Sequence, residues 1–308
     1  MRILVTGGTG FIGSHTVSEL LSRYPEASVR VLSRRAQTAN RWGRGVEFAQ
    51  GNVVSAATLS PAVKDVQVVI HSVQFPNHPV EIPSKGWTCA EVDANGTRNL
   101  LDVSVRAGVR RFVYMSCAGS MTQRRQPWLE AKQRAERAVR ESGIEYVILR
   151  PAPVYGPGDR SINRIAAWMR YSRFVPVIGS DKTRTRQISV FDVARAASLS
   201  ASIAAAANKV LELGGPREMS LYEIARAVKR LLGIRCLLVH IPVALAKILA
   251  GILYMVPNPL FSPAAVDWML REAPIDSRPA EEVFGIRFES LESALSRYLK
   301  PGTSPLYQ

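Results

Sequence analysis

The sequence predicts an α/β fold, a doubly wound parallel sheet followed by a smaller and mostly helical C-terminal region. Short apolar runs typical of buried strands alternate with segments of helical periodicity through the first half of the chain. The first of these runs, Ile3–Val5, leads directly into a glycine-rich turn, and after Pro151 the alternation becomes irregular. The chain has 308 residues, of which 47% are hydrophobic and 21% charged, enough for a large globular core.

The glycine-rich turn has the spacing G-x-x-G-x-x-G and is followed by a segment of helical periodicity over Ser14–Leu21. In such a turn the first glycine permits the tight bend, the second lets the backbone approach a pyrophosphate, and the third lets the helix pack close to the strand. The N-terminus of that helix offers free N–H groups to the phosphates. The sequence therefore predicts a Rossmann-type dinucleotide site, and its expected ligands in this loop are Gly7, Thr9, Gly10, Phe11, Ile12 and Gly13.

The second predicted strand, Val29–Ser33, ends at the position that distinguishes NAD from NADP. A carboxylate there would bind the ribose hydroxyls of NAD, whereas this chain has Ser33, Arg34 and Arg35. Two guanidinium groups suit a 2′-phosphate, so the sequence favours NADP(H) over NAD(H). The alternative is that Arg34 or Arg35 is an exposed loop charge.

Four further strands are predicted in the first half, with helices over Val92–Ala107 and Glu130–Ser142 between the later ones. Because ligands of doubly wound sheets bind at the carboxyl ends of the strands, residues just beyond these ends are further candidates for the cofactor site. The predicted strands are Val46–Gln50, Val66–His71, Arg111–Ser116 and Tyr146–Arg150. The predicted cofactor contacts are Asn52, Val53, His71, Ser72, Val73, Pro151 and Val154.

Two domains are expected, a dinucleotide-binding domain over residues 1–155 and a smaller C-terminal region over residues 156–308. Prolines follow the sixth strand in the turn-rich segment 151–159, which favours a boundary there. Segments near 185–200 are expected to return to the main sheet. The C-terminal region is interpreted as the part that binds a substrate or a partner.

The charge balance favours an anionic partner. The chain has 40 Lys and Arg against 25 Asp and Glu, a formal net charge of +15. Such an excess suits a membrane face, nucleic acid or an acidic protein. Basic residues are not interleaved with stacking aromatics and no nucleic-acid module is visible, so nucleic acid is not the expected partner. Cys89, Cys117 and Cys236 have no metal-like spacing; no metal site and a cytoplasmic location are expected.

The segment Ile241–Val256 is apolar nearly throughout, with Lys247 its one charge. It is shorter than the roughly 20 apolar residues that a transmembrane helix needs, so it is not predicted to cross a membrane. Two interpretations remain: a buried helix of the C-terminal region, or a helix whose apolar face meets a membrane or a partner. In the second case the protein would be peripheral on the cytoplasmic face of a membrane.

Taken together, these motifs resemble the extended and atypical short-chain dehydrogenase/reductases, which are similar to NAD-dependent epimerases and dehydratases. The resemblance covers nearly the whole chain, and its motifs are specific for the family much more than for one activity. It implies a Rossmann-type fold and an NAD(P) cofactor. The segments that carry it are Thr6–Gly13, Asn95–Leu101, Arg111–Ser116, Arg150–Asp159, Val190–Ala194, Leu213–Pro216 and Ser220–Ala225.

The resemblance implies a Ser/Thr–Tyr–Lys arrangement for catalysis, with the tyrosine as general acid or base. At the Tyr-x-x-x-Lys position this chain has Trp128 and Lys132, and Cys117 matches the Ser/Thr. An indole N–H only donates, so Trp128 cannot replace the tyrosine in proton transfer. The remaining candidates for catalysis are Lys132, Cys117 and Ser116, and Lys132 is also expected at the nicotinamide ribose. Glu136, one turn on, is expected to hold Lys132 as an ion pair. Ser120, Glu130 and Tyr155 are further acid/base candidates.

Within the family, the chain is most similar to the NADP-binding accessory subunits of respiratory complex I. The similarity lies in Ile241–Ala250 and Val256–Leu270. It implies an NADP(H)-binding protein, catalytically silent or weak, that docks on a membrane complex. The alternative is an active NADPH-dependent oxidoreductase or epimerase-like enzyme acting on an apolar, isoprenoid or quinone-like substrate. Whether the protein is an enzyme is left open by the sequence.

Overall fold

The computed structural model describes residues 1–35, 42–76, 78, 80–120, 126–179, 183–254, 263, 266–267, 270 and 275–301. Its strands are β1 (Arg2–Thr6), β2 (Ser28–Ser33), β3 (Val46–Gln50), β4 (Val68–His71), β5 (Arg111–Met115), β6 (Glu145–Pro151), β7 (Val154–Tyr155), β8 (Phe174–Ile178), β9 (Arg184–Thr185), β10 (Ile188–Ser189), β11 (Lys209–Leu213), β12 (Met219–Ser220) and β13 (Leu237–Ile241).

Ten α-helices lie between or after these strands within the described residues. They are α1 (Phe11–Arg23), α2 (Ser60–Val63), α3 (Gly96–Arg106), α4 (Pro127–Glu141), α5 (Ile162–Tyr171), α6 (Val190–Ser200), α7 (Leu221–Leu232), α8 (Val243–Tyr254), α9 (Arg278–Phe284) and α10 (Leu291–Ser296). A π-helical segment, Cys89–Asn95, leads directly into α3.

The main sheet has seven parallel strands in the order β11-β6-β5-β4-β1-β2-β3. The chain runs outward from β1 to β3, then crosses back to β4 and continues to the other edge, which is the doubly wound arrangement. The Rossmann-type fold predicted from the sequence is therefore confirmed. All six predicted strands are present, and β1 lies beside the point where the strand order reverses. The seventh strand, β11, was not predicted.

The chain divides into two compact units. The first contains Met1–Pro151, Val193–Leu213 and Arg278–Ile286, and the second contains Ala152–Asp192, Gly214–Ser277 and Arg287–Gln308. The expected boundary at 155 thus falls within the second unit. The segment 193–213 belongs to the first unit and supplies β11, and it overlaps the stretch near 185–200 that is expected to return to the main sheet. The strands near 185, β9 and β10, pair within the second unit.

The first unit is held together around fully buried strands. Every residue of β4 and β5 is buried, and apolar side chains of α3 and α4 complete this core. The returning segment is attached through Arg111, whose guanidinium donates to the carbonyl of Ser200 at 2.8 Å and to that of Ile203 at 3.0 Å. Arg111 also forms an ion pair with Glu145. Buried guanidinium groups are stable in proteins when their donors are paired in this way.

The second unit contains three small two-stranded sheets packed with helices. β7 pairs with β10, β9 pairs with β12, and β8 pairs with β13. Its core is formed mainly by α5, α7 and α10. Helix α7 begins with a capping box in which Ser220 accepts from the backbone N–H of Glu223 and the Glu223 side chain accepts from that of Ser220.

The apolar segment that begins at Ile241 forms the end of β13, a proline and then α8; Met255 and Val256 lie outside the described residues. Only Ala246 and Ala250 of α8 are buried, while Ile248 is 61% exposed. The interpretation of this segment as a buried helix is therefore wrong. Among the described residues, no helix combines the length and apolar character needed to cross a bilayer.

Candidate functional site

The glycine loop between β1 and α1 has a geometry that admits no side chain at two positions. Gly7 has φ +73°, and a Cβ there would lie 2.7 Å from the Ser72 carbonyl oxygen. A Cβ on Gly13 would lie 2.1 Å from the carbonyl oxygen of Gly7. Both contacts are far inside van der Waals distance, so the close approach of helix to strand depends on glycine. The loop has the backbone form that the sequence predicted.

The N-terminus of α1 is open to a ligand. Gly10 is its N-cap residue, no side chain caps the helix, and its first turn has no acidic residue. Thr9 and Gly10 are exposed, and Phe11 and Ile12 are partly buried. Free N–H groups and a positive dipole end form a ready site for an anion. These residues fit the pyrophosphate of a dinucleotide.

The end of β2 presents two cationic side chains. Arg34 and Arg35 are exposed, and neither forms an ion pair with a carboxylate of the described residues. The hydroxyl of Ser33 donates to the carbonyl of Arg35 at 2.9 Å, which fixes the turn. The guanidinium groups are thus available to an external phosphate, and the chemistry of this donor set fits a 2′-phosphate.

The turn after β3 lies against the end of β2. The backbone N–H of Gly51 donates to the carbonyl of Ser33, and the Asn99 amide donates to the carbonyl of Val53, each at 2.9 Å. Val53 is buried and Asn52 is partly exposed. This arrangement places the predicted Asn52–Val53 contact near the arginine pair, at the same edge of the sheet.

His71 has a structural role at the end of β4. Its ring nitrogens are hydrogen-bonded to the hydroxyls of Thr6, at 2.6 Å, and Thr97, at 2.9 Å. Burial, with a smaller effect of the nearby Lys132 charge, lowers the pKa of His71 to about 3, so the ring is neutral near pH 7. Its side chain joins β1, β4 and α3. Ser72 and Val73, which follow it, are partly exposed.

Lys132 lies buried in α4 beside a carboxylate that the sequence did not indicate. Its Nζ is 3.3 Å from Asp93 Oδ1, 3.4 Å from the Met115 carbonyl oxygen and 5.3 Å from the centre of the Tyr114 ring. Burial opposes the charge of Lys132, but Tyr114, Asp93 and Cys117 outweigh it, so its pKa is raised. Burial raises the pKa of Asp93. Lys132 is a charged group held inside the domain.

Glu136 does not pair with Lys132, contrary to the sequence-based expectation. Its carboxylate binds Arg150 at 2.6 Å and Arg140 at 2.8 Å. It also accepts from the hydroxyls of Ser116, at 2.6 Å, and Ser120, at 2.8 Å. Although burial opposes ionisation, the hydrogen bonds from Arg150 and the serines prevail and lower the pKa of Glu136. Glu136 and Lys132 lie one turn apart on α4, where an ion pair between them would be possible. The structure shows instead that each has a different partner.

The remaining predicted catalytic positions lie around β5 and α4. Trp128 is in the first turn of α4, partly buried and packed on the core of the first unit. Ser116 is buried and its hydroxyl is committed to Glu136, whereas Cys117 is partly exposed. Pro151 closes β6 in the first unit; Val154 lies in β7 of the second.

Asp93 is the residue of this site that the sequence did not identify. It lies in the π-helical segment before α3, where it also accepts from the backbone N–H of Phe75 at 3.2 Å. The irregular helix turns the carboxylate toward α4, and periodicity alone predicts a regular helix there. In the sequence, the one sign of this role is that the carboxylate of Asp93 stands between the apolar residues Val92 and Ala94.

Comparisons with known proteins agree with this geometry. The chain is 25% identical to the photosystem II assembly factor Ycf39 of Synechocystis, over 80% of this chain and 72% of that protein. It is 32% identical to subunit 9 of the NADH dehydrogenase [ubiquinone] 1 alpha subcomplex of Arabidopsis thaliana mitochondria, over 51% of this chain and 40% of that protein. The structure of MoeE5 with UDP-glucuronic acid and NAD superposes with a TM-score of 0.72 and 25% identity, covering 96% and 97% of the two chains.

The glycine loop, the open helix terminus and the sheet order thus form an NAD(P)-binding fold. The model of the NAD dependent epimerase/dehydratase family matches residues 3–214, which is more than half of the chain. Those residues include the glycine loop, Trp128 and Lys132. The chain belongs to the NAD dependent epimerase/dehydratase family.

Proposed function

We propose that this protein binds NADP(H), has little or no reductase activity, and is attached to a membrane respiratory complex. One observation carries the proposal: the cofactor loop is complete while Trp128 occupies the position of the family's general acid. Nucleotide binding and turnover are therefore separated in this chain. The glycine loop needs only backbone atoms to hold a pyrophosphate, whereas reduction of a plain carbonyl needs a proton donor.

The other side chains near Trp128 do not supply that donor. The Ser116 hydroxyl donates to the buried carboxylate of Glu136. Lys132 is held by Asp93 with a raised pKa, which makes it a poor acid near neutral pH. Cys117 is partly exposed, and among the described residues its thiol makes no hydrogen bond to a side-chain base. Turnover that depends on a tyrosine is thus expected to be weak.

The preference for NADP(H) rests on the end of β2. Arg34 and Arg35 are exposed there, next to the turn that Ser33 fixes. A 2′-phosphate would accept charge-assisted hydrogen bonds from these guanidinium groups. NAD(H) has only ribose hydroxyls at that point and would gain less from them.

Attachment to a membrane complex is supported by three observations. The Arabidopsis relative is by name a subunit of NADH dehydrogenase. The chain has a formal net charge of +15, which favours an anionic surface. Helix α8 exposes aliphatic side chains such as Ile248 and Ile252, which a soluble monomer seldom does over such a length.

The catalytic part is tested by comparing the wild type with Trp128→Tyr. We expect the wild type to bind NADPH and to reduce a panel of aldehydes and ketones very slowly. Restoring the phenol should raise kcat by about 100-fold or more, which is the usual contribution of a general acid. Trp168→Tyr, at an exposed position of α5, is the control and should change neither binding nor rate.

Rapid turnover by the wild type on any of these substrates, unchanged in Trp128→Tyr, would contradict catalytic silence. It would favour an NADPH-dependent oxidoreductase with another proton donor. A quinone-like ring or an activated alkene would then be the substrate class to examine, because hydride transfer to them needs less from a tyrosine. Absence of NADPH binding would contradict the proposal at its first step.

A further inference from the structure

The second unit exposes a continuous row of aliphatic side chains on α8. The exposed residues follow the i, i+3, i+4, i+7, i+8 pattern, so they form one stripe along the twelve-residue helix. Ala246 and Ala250, the small residues on its other side, are the buried ones. The stripe consists of Leu245, Ile248, Leu249, Ile252 and Leu253, each between 46% and 61% exposed.

The β8–β13 sheet of the same unit has an outer face that is also apolar. The register pairs Leu237 with Phe174, and alternate residues of a strand share a face. Phe174 is 61% exposed, Leu237 58% and Val239 40%. The six residues of this face are Phe174, Pro176, Ile178, Leu237, Val239 and Ile241. No polar side chain interrupts it.

The helix stripe and the sheet face are neighbours, because the buried side of α8 packs on one end of the sheet face. Ile178 and Ile241, at the ends of the two strands, pack in one small cluster with Ala246 and Ala250 of α8. Pro242 alone separates the end of β13 from the start of α8. We call the stripe and the sheet face together the apolar surface. It lies entirely within the second unit.

The sequence around the apolar surface is basic and poor in carboxylates. Residues 160–180, which contain α5 and β8, have four arginines and no Asp or Glu. Residues 224–266, which contain most of α7, β13 and α8, have five Lys or Arg and no Asp or Glu. One of the five, Lys247 of α8, is paired at 2.7 Å with Asp267, just beyond this segment. Arg173 and Arg235 are exposed beside Phe174 and Leu237, and neither forms an ion pair with a described carboxylate. The edge of the surface is therefore cationic.

Exposed aromatic residues complete the composition. Trp168 is 52% exposed and Tyr171 85% exposed in the last turn of α5, which leads into β8. Tyr254, at the end of α8, is 47% exposed. Trp and Tyr favour the boundary between headgroups and acyl chains, while Arg favours anionic headgroups. A helix with an apolar face and a basic surrounding lies in the plane of that boundary.

We infer that the apolar surface binds directly to an anionic lipid bilayer, with α8 lying in the interface rather than crossing it. Aliphatic side chains would enter the acyl region while Arg173 and Arg235 meet lipid phosphates. A protein partner would also cover aliphatic residues, but it would have to be acidic as well. An anionic bilayer supplies both an apolar interior and phosphates, and its interface suits the exposed Trp168, Tyr171 and Tyr254. The inference deepens the membrane attachment in the proposed function and does not depend on NADP(H) binding.

Flotation with lipid vesicles tests the inference on the full-length protein. The vesicles are phosphatidylcholine, either pure or with a third of phosphatidylglycerol. We expect binding to the anionic vesicles at least tenfold stronger than to the neutral ones, and weaker in high salt. Ile248→Glu/Ile252→Glu should lower that binding by tenfold or more. Val105→Glu, at an exposed apolar position of α3 in the first unit, is the matched control and should bind like the wild type.

A second pair of substitutions separates charge from apolar contact. Arg173→Ser/Arg235→Ser should lower binding to anionic vesicles by about tenfold or more, because each basic residue adds its own attraction to the anionic headgroups. Any weak binding to neutral vesicles should stay unchanged. NADPH binding is measured in every variant and should stay at the wild-type level, which shows that the variants are folded. A loss of vesicle binding is then independent of the cofactor.

Two results would overturn the inference. One is equal flotation of the wild type and Ile248→Glu/Ile252→Glu. The other is absence of flotation with anionic vesicles while the wild type copurifies with a membrane protein complex and the double variant does not. That second result would assign the apolar surface to a protein partner and leave the proposed function standing. Absence of NADPH binding with normal flotation would contradict only the cofactor part of the proposed function.

Discussion

Trp128 and Lys132 lie one turn apart on α4, and their surroundings determine which chemistry remains. Lys132 has a buried carboxylate, Asp93, at 3.3 Å, so its charge is balanced inside the protein. Glu136 is occupied by Arg150 and Arg140. The family resemblance identified Lys132 and Trp128, whereas helix spacing assigned the wrong carboxylate, Glu136, to Lys132. Spacing along a helix shows which residues share a face, and it does not show what the neighbouring elements place opposite them.

His71 gives a residue-scale prediction for the dependence of stability on pH. Its pKa is about 3 in the folded protein and about 6.5 when unfolded, so the unfolded chain binds more protons between these values. The contribution of neutral His71 to the free energy of unfolding is present above pH 6.5 and is lost as the pH falls toward 3. It amounts to about 1.4 kcal/mol per pH unit in that range.

Urea unfolding at pH 7 and pH 5 measures this effect. We expect the wild type to lose about 2 kcal/mol more of its unfolding free energy than His71→Asn between these pH values, because asparagine does not titrate. Asparagine can keep the hydrogen bond to Thr6 at the Nδ1 position. An equal loss in both proteins would show that the pKa of His71 is not lowered by folding and that His71 is protonated in the folded state at pH 5.

The arginine pair at the end of β2 gives a second residue-scale prediction. Arg34→Ala/Arg35→Ala should weaken NADPH binding by about 10- to 100-fold, because hydrogen bonds to charged groups contribute roughly 1.5–3 kcal/mol. NADH binding should change by less than about threefold. Calorimetric titration of each nucleotide measures both values. Equal losses for the two nucleotides would sink the assignment of Arg34 and Arg35 to the 2′-phosphate.

At the scale of elements, the glycine loop is the feature that the sequence defines best. Three glycines at fixed spacing, between a strand and a helix, have one backbone solution for the β1–α1 turn. The structure gives Gly7 a positive φ and leaves no room for a Cβ on Gly13. Local sequence and long-range packing therefore agree at this point, which is why the prediction succeeds.

Gly13→Ala gives an element-scale prediction. Its Cβ would meet the Gly7 carbonyl at 2.1 Å, so α1 has to move away from β1. We expect NADPH binding to fall by more than 100-fold and the unfolding free energy to fall by about 1–3 kcal/mol, the usual cost of forcing extra volume into a packed site.

Gly251→Ala is the matched control for this substitution. Gly251 lies in α8, and a Cβ added there would meet nothing within 4 Å outside the helix itself, so alanine fits. It should leave NADPH binding unchanged and stabilise the helix by up to about 1 kcal/mol. Thermal unfolding and calorimetry are run on both variants. Wild-type NADPH affinity in Gly13→Ala would show that the loop does not hold the pyrophosphate.

Other elements could not be predicted from the sequence, and the physical reasons can be identified. β7, β9, β10 and β12 have two residues each, too few for any periodicity to be visible. β11 is of ordinary length, but its place beside β6 depends on a segment that leaves the first unit after Pro151 and returns at Val193. Helix α8 is apolar apart from Lys247, a pattern that suits a buried helix as well as an exposed one. Only its surroundings distinguish the two.

Two properties of the whole molecule support the proposed combination of nucleotide binding and membrane attachment. The first unit has the fold that binds NAD(P), and the second has the basic, apolar surface described above. The net charge of +15 could be read from the sequence, but its placement could not. The structure shows that the cations of residues 160–180 and 224–266 accompany exposed aliphatic side chains. This combination is unusual for a soluble metabolic enzyme.

Nucleotide binding without turnover on a membrane complex is tested by the nucleotide content of the protein isolated from native membranes. The tagged full-length chain is purified in mild detergent, its size is determined, and nucleotide released on denaturation is identified and counted. We expect recovery in a large membrane assembly with about one NADP(H) per chain. Recovery as a small species in the soluble fraction, with freely exchanging nucleotide and rapid NADPH turnover, would contradict the proposed function.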